Sequence, residues 1–506
     1  MKKLFILFTV LLVLGSACKK GFLNVDETNP NSASSVPASL VLPAALNYTS
    51  ILMNTPGNFA WINQWYGLWS ISGGYSQDAS MTGYNEIASF QQVIWDNAYI
   101  YLQNIDYLEK NSTGSNLMSY RAIAKIMKAY IYQNLVDIYG NIPYSQALKT
   151  DQGILKPKFD DQKAIYEDLV VQLDTAMNII ATTPAGVENP SSKDIIYGGD
   201  MAKWQRFANT LKLRMLMNQA DMSDRATYIK AEIAATSSIG YLGAGEGAWV
   251  NPGYLQSTGQ MNPFWERFYN ASNSQVADGL TYFVAGQDAC EFLINNNDPR
   301  KLRFFALPTS GADIKGNYFG VTPLQTVPAT SHLGPGMLLA FNQNAPILTD
   351  MESLFLQAEA AQRGLISGSA KAFYEAAVTQ SVIYEGKKSY WDVTSYVPLT
   401  AANAAAYLAQ STLPLVNFDA SLNPLKTIIT QKWCAMNGLC PMVVWTDYRR
   451  TGYPDFIHFS KDANRKSDYP PVRLIYPQTE VSLNNDNVVA QGTIDFFSSK
   501  IFWQNR

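Results

Sequence analysis

The sequence predicts an all-α fold in which helices pair as tetratricopeptide-like hairpins, with long irregular loops between some of them. Residues 121–180 combine two amphipathic helical patterns with a tight polar turn. Residues 349–384 repeat this arrangement much further along the chain. Between the two, residues 241–349 lose the helical period and are dense in Gly, Pro, Asn and Ser. A helical hairpin cannot bury both apolar faces alone, so recurrent hairpins are expected to stack on one another.

The hairpin at residues 121–180 is the clearest of these units. Its apolar residues recur three and four positions apart, at Ile123, Met127, Tyr130, Ile138, Ile165, Leu169, Leu173 and Met177. Gly140 can adopt a left-handed conformation that closes the first helix, and Pro143 cannot continue it. The second helix is expected to be capped by Asp160 or Asp161, because a carboxylate accepts hydrogen bonds from unpaired N–H groups.

Helical spacing also explains two groups of residues that could be mistaken for functional sites. Trp61, Trp65 and Trp69 recur four residues apart, which predicts one buried aromatic helix face rather than a binding stripe. Glu352 and Glu359 could form a catalytic acid pair on one helix. A capping box between Thr349 and Glu352 accounts for Glu352 without any chemistry, and we favour it. Further helices are expected near residues 36–51, 88–110, 200–215 and 422–436.

The amino terminus predicts export and attachment to a membrane. Two lysines, an apolar run and small residues make residues 1–17 a signal peptide that is too short to span a bilayer. Cys18 follows at the cleavage point, as in bacterial lipoproteins, and is the expected site of lipidation. The polar residues 18–37 are expected to form a tether. Residues 38–506 are then one helical domain, into which the loop-rich segment 241–349 is inserted.

Composition excludes several classes of function. The 506 residues carry a net charge of −3 and contain no basic block, so nucleic-acid binding is not expected. His332 and His458 are the only histidines, which argues against a clustered His metal site and most charge-relay triads. The sequence has no D-x-[DN]-x-[DN]-G calcium loop, and we expect no cofactor, although a calcium site built from carbonyl oxygens would leave no motif. Cys434 and Cys440 could pair, or remain buried thiols.

Two loop segments hold aromatic residues that helical periodicity does not explain. Residues 73–84 are Gly-rich and polar and contain two tyrosines. Residues 241–349 are too rich in aromatics for a disordered segment, so we interpret them as a loop region that faces a ligand. Exposed loop aromatics on a rigid scaffold are good binding candidates. On loop context alone, the candidates are Tyr75, Tyr84, Trp265, Tyr269 and Tyr318.

Six motifs follow one another along nearly the whole chain. They are D-I-Y-G-N-I-P-Y at residues 137–144, W-x-x-x-A-N-x-L-K-L-R at 204–214, D-P-R at 298–300, Met351-Glu352, W-T-D-Y-R-R-T-G-Y-P at 445–454 and R-x-x-Y-P-x-x-E at 473–480. This ordered set resembles the SusD/RagB-type nutrient-binding outer-membrane lipoproteins. The resemblance implies a helical fold with tetratricopeptide pairs and surface exposure on the outer membrane. The motifs look structural, so they transfer no ligand-contacting residue to this chain.

The resemblance further implies non-catalytic capture of oligosaccharides, or in some members peptides. A SusC-like, TonB-dependent barrel would be the partner that receives them. Two other functions compete with this hypothesis. A surface glycoside hydrolase would need two carboxylates about 5–10 Å apart, and no acid pair lies in an aromatic loop with such a spacing. A purely structural subunit of a transporter would bind no ligand by itself.

Overall fold

The computed structural model describes residues 36–85, 87–392 and 396–505, and it confirms the all-α fold with helix pairs. The predicted signal peptide (residues 1–17), Cys18 and the tether as far as residue 35 lie outside the described residues. Within the described ranges, no helix is both long and apolar enough to cross a membrane.

The helices come in two lengths, long ones that form the scaffold and short ones within the loops. The α-helices of the described residues are α1 (Ala38–Asn54), α2 (Pro56–Trp65), α3 (Ala79–Thr82), α4 (Gln92–Lys110), α5 (Met118–Tyr139), α6 (Gln162–Thr182), α7 (Met201–Asn218), α8 (Ala226–Ala235), α9 (Pro263–Glu266), α10 (Gly279–Tyr282), α11 (Gln287–Asn295), α12 (Lys301–Phe304), α13 (Asp350–Gln362), α14 (Ala370–Glu385), α15 (Ala401–Leu408), α16 (Pro424–Ala435), α17 (Pro441–Thr451), α18 (Gln478–Leu483) and α19 (Asn485–Val489).

Within the described part of the chain, short strands pair in three antiparallel ladders. The strands are β1 (Trp69–Ile71), β2 (Ile142–Pro143), β3 (Phe159–Asp160), β4 (Ala248–Val250), β5 (Phe283–Ala285) and β6 (Ala345–Leu348). β1 pairs with β5, β2 with β3, and β4 with β6. β4, β5, β6 and the helices α9–α12 all lie within residues 241–349, so this segment carries short regular elements despite its loop-like composition.

The first predicted hairpin is α5 and α6. These two helices pack along each other, α4 covers α5, and α7 continues the stack beyond α6. Of the two possible caps, Asp161 is the one observed: its side chain accepts hydrogen bonds from the backbone N–H groups of Lys163 and Ala164, both at 3.0 Å. Gly140 ends α5 with a φ of +73°, and a Cβ there would lie 3.0 Å from the guanidinium of Arg473. The turn therefore requires glycine twice, for its conformation and for its space.

The second predicted hairpin is α13 and α14, which pack along each other, with α16 against α13. The expected capping box is only half correct. Thr349 accepts a hydrogen bond from the backbone N–H of Glu352 at 3.0 Å, but the Glu352 carboxylate turns away and pairs with Arg214 at 3.0 Å. Glu359 pairs with the buried Arg450 at 2.5 Å. Both glutamates thus link α13 to neighbouring helices, which explains them without catalysis.

The tryptophan stripe was predicted correctly as buried but wrongly as a single helix face. Trp61 and Trp65 lie on α2, and their ring centroids are 4.5 Å apart. α2 ends at Trp65, and Trp69 belongs to β1, where it pairs with Ala285. Its indole N–H donates to Asn437 at 2.8 Å. Tertiary strand pairing has replaced the helical continuation that the spacing alone predicts.

The sequence motifs lie mostly in the core, which agrees with a scaffold role. Arg300 is fully buried, and its ion pair with Asp298 measures 2.6 Å. Trp445 is fully buried beneath the guanidinium of Arg449, which lies 3.9 Å from the ring centroid. Cys434 and Cys440 are free, and burial raises the pKa of both thiols.

Candidate functional site

The most prominent exposed aromatic pair lies in the connection that follows α14. Tyr390 is 48% exposed and Trp391 is 40% exposed. Their ring centroids are 4.8 Å apart, and the rings stand nearly perpendicular to each other. Large aromatic side chains normally bury most of their surface. Two adjacent ones left open at the surface therefore mark a place where something can bind.

The exposed pair rests on two further rings that supply a rigid floor. Trp265 and Tyr269 stack with centroids 4.6 Å apart, and both are buried. Trp391 covers them, at 4.9 Å from Tyr269 and 6.3 Å from Trp265, and it lies nearly parallel to Trp265. Burial raises the pKa of Tyr269 to about 12, so its hydroxyl stays neutral. We refer to Trp265, Tyr269, Tyr390 and Trp391 as the Trp391 cluster.

Local sequence explains why the floor residues stand where they do. Asn262 precedes Pro263, which suits the first turn of α9 because its missing N–H would be unpaired there in any case. The Asn262 side chain accepts hydrogen bonds from the N–H groups of Phe264 and Trp265, at 2.9 and 3.1 Å. Its amide also donates to the Gln343 carbonyl at 2.9 Å. The cap therefore fixes the start of α9 to the segment before β6.

An arginine holds the segment that carries the exposed pair. Arg303 pairs with Asp392 at 3.0 Å and donates to the carbonyls of Glu385 and Lys387, at 2.8 and 2.5 Å. Asp392 in turn accepts a hydrogen bond from the Ser389 N–H at 2.8 Å. These contacts lie on both sides of Tyr390 and Trp391, so the two rings are presented by a tied segment rather than a free one.

A buried acid lies beneath the same segment. Glu385 ends α14 and is 1% exposed, and its Oε2 atom has no hydrogen-bond partner among the described residues. Burial raises the pKa of this carboxyl to about 8, although the charges of Arg300, Arg303 and Lys387 oppose the shift. The carboxyl is therefore mostly protonated at neutral pH.

The other predicted binding residues lie apart from the Trp391 cluster. Tyr75 is half-buried; its hydroxyl is 2.6 Å from that of Thr281, and its ring meets Tyr282 at 5.0 Å. Tyr318 is also half-buried and donates to Glu291 at 2.6 Å. The expectation that Tyr84 is an exposed loop aromatic is wrong. Tyr84 is fully buried, and its hydroxyl accepts a hydrogen bond from the Ser460 N–H at 3.0 Å.

The sequence analysis therefore predicted two of the four rings of the cluster, Trp265 and Tyr269, and missed the two exposed ones. Tyr390 and Trp391 follow a Gly-Lys-Lys-Ser stretch between two helices. This is the same signal that singled out residues 73–84, namely two aromatic residues in a polar, Gly-containing connection.

Several polar side chains beside Tyr318 form the arrangement that most resembles a catalytic site. His458 Nδ1 lies 2.6 Å from the Asp288 carboxylate, and the rings of Tyr318 and His458 are 4.8 Å apart. Burial raises the pKa of Asp288 to about 6. Asp288 also accepts the His458 backbone N–H, and Glu291 is held by Tyr318 and Gln287. Both carboxylates are thus engaged within the protein.

Metal-binding side chains do not converge anywhere in the part of the chain that the structure describes. No three His, Cys, Asp or Glu residues there are grouped closely enough to hold an ion. The expectation that the protein needs no cofactor stays a prediction.

Comparisons with known proteins agree on one family and one fold. A family model described as "Starch-binding associating with outer membrane" matches residues 30–477. A solved chitin-binding protein shares 24% identity and a TM-score of 0.75, covering 92% of this chain and 100% of its own. A chitin-binding SusD homolog from Flavobacterium johnsoniae shares 22% identity and a TM-score of 0.74, covering 91% of this chain and 98% of its own.

A SusD/RagB family protein from Bacteroides thetaiotaomicron shares 20% identity and a TM-score of 0.73, covering 93% of this chain and 100% of its own. At these identities the structural likeness establishes the fold alone. No curated protein sequence matches this one significantly.

Proposed function

This chain belongs to the SusD-like family of outer-membrane-associated, nutrient-binding proteins, and from that premise we propose that it captures oligosaccharides at the Trp391 cluster without altering them. The single observation that carries the proposal is the exposed pair Tyr390 and Trp391 above the buried rings of Trp265 and Tyr269. Sugar rings present C–H faces that pack on aromatic rings, and the second ring at nearly a right angle gives a bound sugar a defined orientation.

The tied segment supports capture because a binding surface that is already ordered loses less entropy on association. Arg303 and Asp392 hold both ends of the segment, and the floor rings prevent Trp391 from collapsing inward. The carboxylates Asp288 and Glu291, which lie beside Tyr318 and apart from the Trp391 cluster, are engaged by protein groups. This favours binding over hydrolysis.

Lipidation of Cys18, display on the outer membrane and delivery to a SusC-like, TonB-dependent barrel belong to the same proposal. The support is the lipoprotein-like amino terminus together with the family membership. A lipid anchor would keep the cluster close to a membrane transporter, so a captured glycan needs to travel only a short distance. Co-purification of a barrel protein with the tagged chain from outer membranes tests the partner. Recovery of the chain alone under mild detergent would argue against it.

The binding experiment uses the purified, lipid-free chain and calorimetric titration with chito-oligosaccharides, malto-oligosaccharides and peptides. We expect saturable binding of at least one glycan, and Trp391→Ala is expected to weaken it by about 2 kcal/mol, or roughly 30-fold. Tyr48→Ala is the matched control. Tyr48 is also a partly exposed aromatic, but it stacks on Tyr101 at 5.0 Å on the face formed by α1 and α4.

Three results would contradict the proposal in different ways. Unchanged affinity in Trp391→Ala would remove the cluster as the site. Cleaved glycan after prolonged incubation would show a hydrolase. Binding of peptides in place of glycans would establish the same fold as a peptide-capture protein.

A further inference from the structure

Two lysines come directly before the exposed aromatic pair of the Trp391 cluster. The chain reads Gly-Lys-Lys-Ser-Tyr-Trp over residues 386–391, so Lys387 and Lys388 lie within four residues of both exposed rings. Both lysines are exposed, and neither ammonium group forms an ion pair within the described ranges. Two accessible positive groups therefore lie beside the surface on which a glycan is proposed to pack.

The backbone between the lysines and the rings directs Lys388 outward. Ser389 is 2% exposed, and its Oγ atom donates a hydrogen bond to the Leu338 carbonyl at 2.8 Å. The Tyr390 N–H donates to the Leu339 carbonyl at 2.7 Å. Because Ser389 is directed into the protein, the exposed residues on either side of it, Lys388 and Tyr390, both face solvent. Their Cα atoms are at most about 7 Å apart, and the flexible stem of lysine allows its ammonium group to reach a substituent of a sugar packed on the rings.

Lys387 adds a second charge, which lies against aromatic rings. Its Nζ atom is 4.4 Å from the ring centroid of Tyr384 and 5.8 Å from that of Trp249. Partial burial lowers the pKa of this ammonium group, although the charges of Asp350 and Glu385 oppose the shift without forming an ion pair with it. A cation in such a place is stabilised by any further negative charge that comes near. An anionic group on a bound ligand would supply it.

The acids of the two segments that form the cluster leave this positive charge in excess. Asp392 is already paired with Arg303. Glu385 is mostly protonated at neutral pH, because burial raises its pKa to about 8. On the floor segment, the carboxylate of Glu266 accepts a hydrogen bond from the Gly259 N–H at 2.5 Å. Of these three acids, only Glu266 retains a negative charge without a paired cation, so it does not balance two lysines.

The ligand class follows from the rings and the charges together, and it rests on the proposed function because it concerns the same site. We propose that the Trp391 cluster captures acidic oligosaccharides, with the sugar packed on the exposed rings and its anionic substituent toward Lys388. A uronic acid and a sulfated sugar share this chemistry, since both combine C–H faces with a negative charge at the edge of the ring. A neutral glycan would contact the rings and leave the lysines unused.

The expected advantage of an acidic ligand is moderate because the lysines are close to water. At about 4 Å in a medium like bulk water, the attraction between two unit charges strengthens binding about fivefold. Lys387 lies further along the segment and should add about twofold. The screening length falls from about 10 Å at about 0.1 M salt to about 3 Å at about 1 M. The advantage of the acid should therefore be about tenfold at low salt and should largely disappear at high salt.

The test titrates two matched pairs of oligosaccharides into the purified, lipid-free chain by calorimetry. One pair is hexagalacturonate and its methyl ester, and the other is a sulfated κ-carrageenan hexasaccharide and its desulfated form. We expect at least one acid to bind saturably and about tenfold more tightly than its neutral counterpart at about 0.1 M salt. The two pairs distinguish a carboxylate ligand from a sulfate ligand.

A charge-removing substitution connects this preference to the lysine. Lys388→Gln keeps most of the side chain, and it should weaken binding of the acid about fivefold while changing that of the neutral counterpart less than about twofold. Lys230→Gln is the matched control, because Lys230 is also exposed and forms no ion pair within the described ranges but lies on α8. Trp391→Ala should weaken binding of the acid and of its neutral counterpart alike.

The acidic class of ligand is overturned if neither acid binds, if each acid binds only as well as its neutral counterpart, or if Lys388→Gln leaves the affinity for the acid unchanged. Capture at the cluster would still stand if neutral glycans bind and Trp391→Ala weakens them, so the two proposals can fail separately. Binding of an acid that Trp391→Ala leaves unchanged would remove the cluster as the site and overturn both.

Discussion

Replacing Glu385 by glutamine should stabilise the protein at neutral and alkaline pH. The buried carboxyl has a pKa of about 8 in the fold, against an ordinary value of 4.5 for glutamate. Between these two values the unfolded chain releases the proton and the folded chain keeps it. Rising pH therefore favours unfolding in this window, by about 1.4 kcal/mol for each pH unit. At pH 7 the free energy of unfolding of the parent chain is therefore lower by about 3 kcal/mol. Glutamine has no proton to release, so the variant does not lose this stability.

The magnitude is an upper value because the glutamine amide also needs an acceptor. There is little room for an additional acceptor, because Gly336 packs closely against the carboxylate. A Cβ at position 336 would lie 2.4 Å from Glu385 Oε2. We therefore compare the free energy of unfolding of Glu385→Gln with that of the parent chain at each pH. This difference should favour the variant by roughly 1–3 kcal/mol more at pH 7 than at pH 4. Because Arg303 ties the Glu385 carbonyl to the segment of Trp391, the parent chain should also lose glycan affinity above pH 8 and the variant should retain it.

Urea unfolding at pH 4, 5, 6, 7 and 8 measures the effect, with glycan titrations at pH 7 and 9. Glu375→Gln is the control, because Glu375 lies on the same helix α14 but its side chain is 41% exposed. The difference between Glu385→Gln and the parent chain should grow with pH, whereas the control should follow the parent. Parallel stability curves for Glu385→Gln and the parent from pH 4.5 to 8 would refute the reasoning.

Three other substitutions test the remaining contacts. Asp392→Asn keeps the shape of the side chain but removes the charge that pairs with Arg303; glycan affinity should fall about threefold to tenfold with an unchanged thermal melt, and unchanged affinity would show that the tie is dispensable. Glu359→Gln leaves Arg450 without its buried counter-charge; the free energy of unfolding should drop by about 3 kcal/mol in urea titrations, and a loss below about 1 kcal/mol would contradict the packing argument. Cys18→Ala should release the exported chain from membranes into the soluble fraction, with lipid-modified peptide absent from mass spectra; continued membrane association would point to another anchor.

Local patterns carried much of the fold prediction. The apolar period predicted α5 and α6, and the carboxylate at Asp161 caps α6 as one of two expected alternatives. The same reasoning failed at Trp69, because β1 pairs with a strand more than 200 residues away and periodicity holds no information about that partner. It failed in part at Glu352, where a buried arginine from α7 offered the carboxylate a stronger interaction than the helix cap.

The candidate site was likewise predicted only in part, because local patterns do not report contacts with distant segments. Loop context identified Trp265 and Tyr269 as unusual, but it could not tell that they form a buried floor. It gave Tyr84 the same weight, although that side chain is fully buried against residue 460. Burial of an aromatic in a loop depends on which distant segments cover it. That coverage is the net result of packing over the whole molecule.

The sequence by itself determined the helical hairpins, their caps and the family, because these depend on residues close together along the chain or on an ordered set of motifs. Only the tertiary structure decided which aromatics reach the surface. Four rings from two segments more than 120 residues apart meet at the Trp391 cluster. Tertiary packing also buried Glu385 so that its Oε2 atom has no hydrogen-bond partner among the described residues, and no local pattern could have indicated that. Exposure and charge compensation are properties of the space around a residue, so they become visible only when the distant segments are in place.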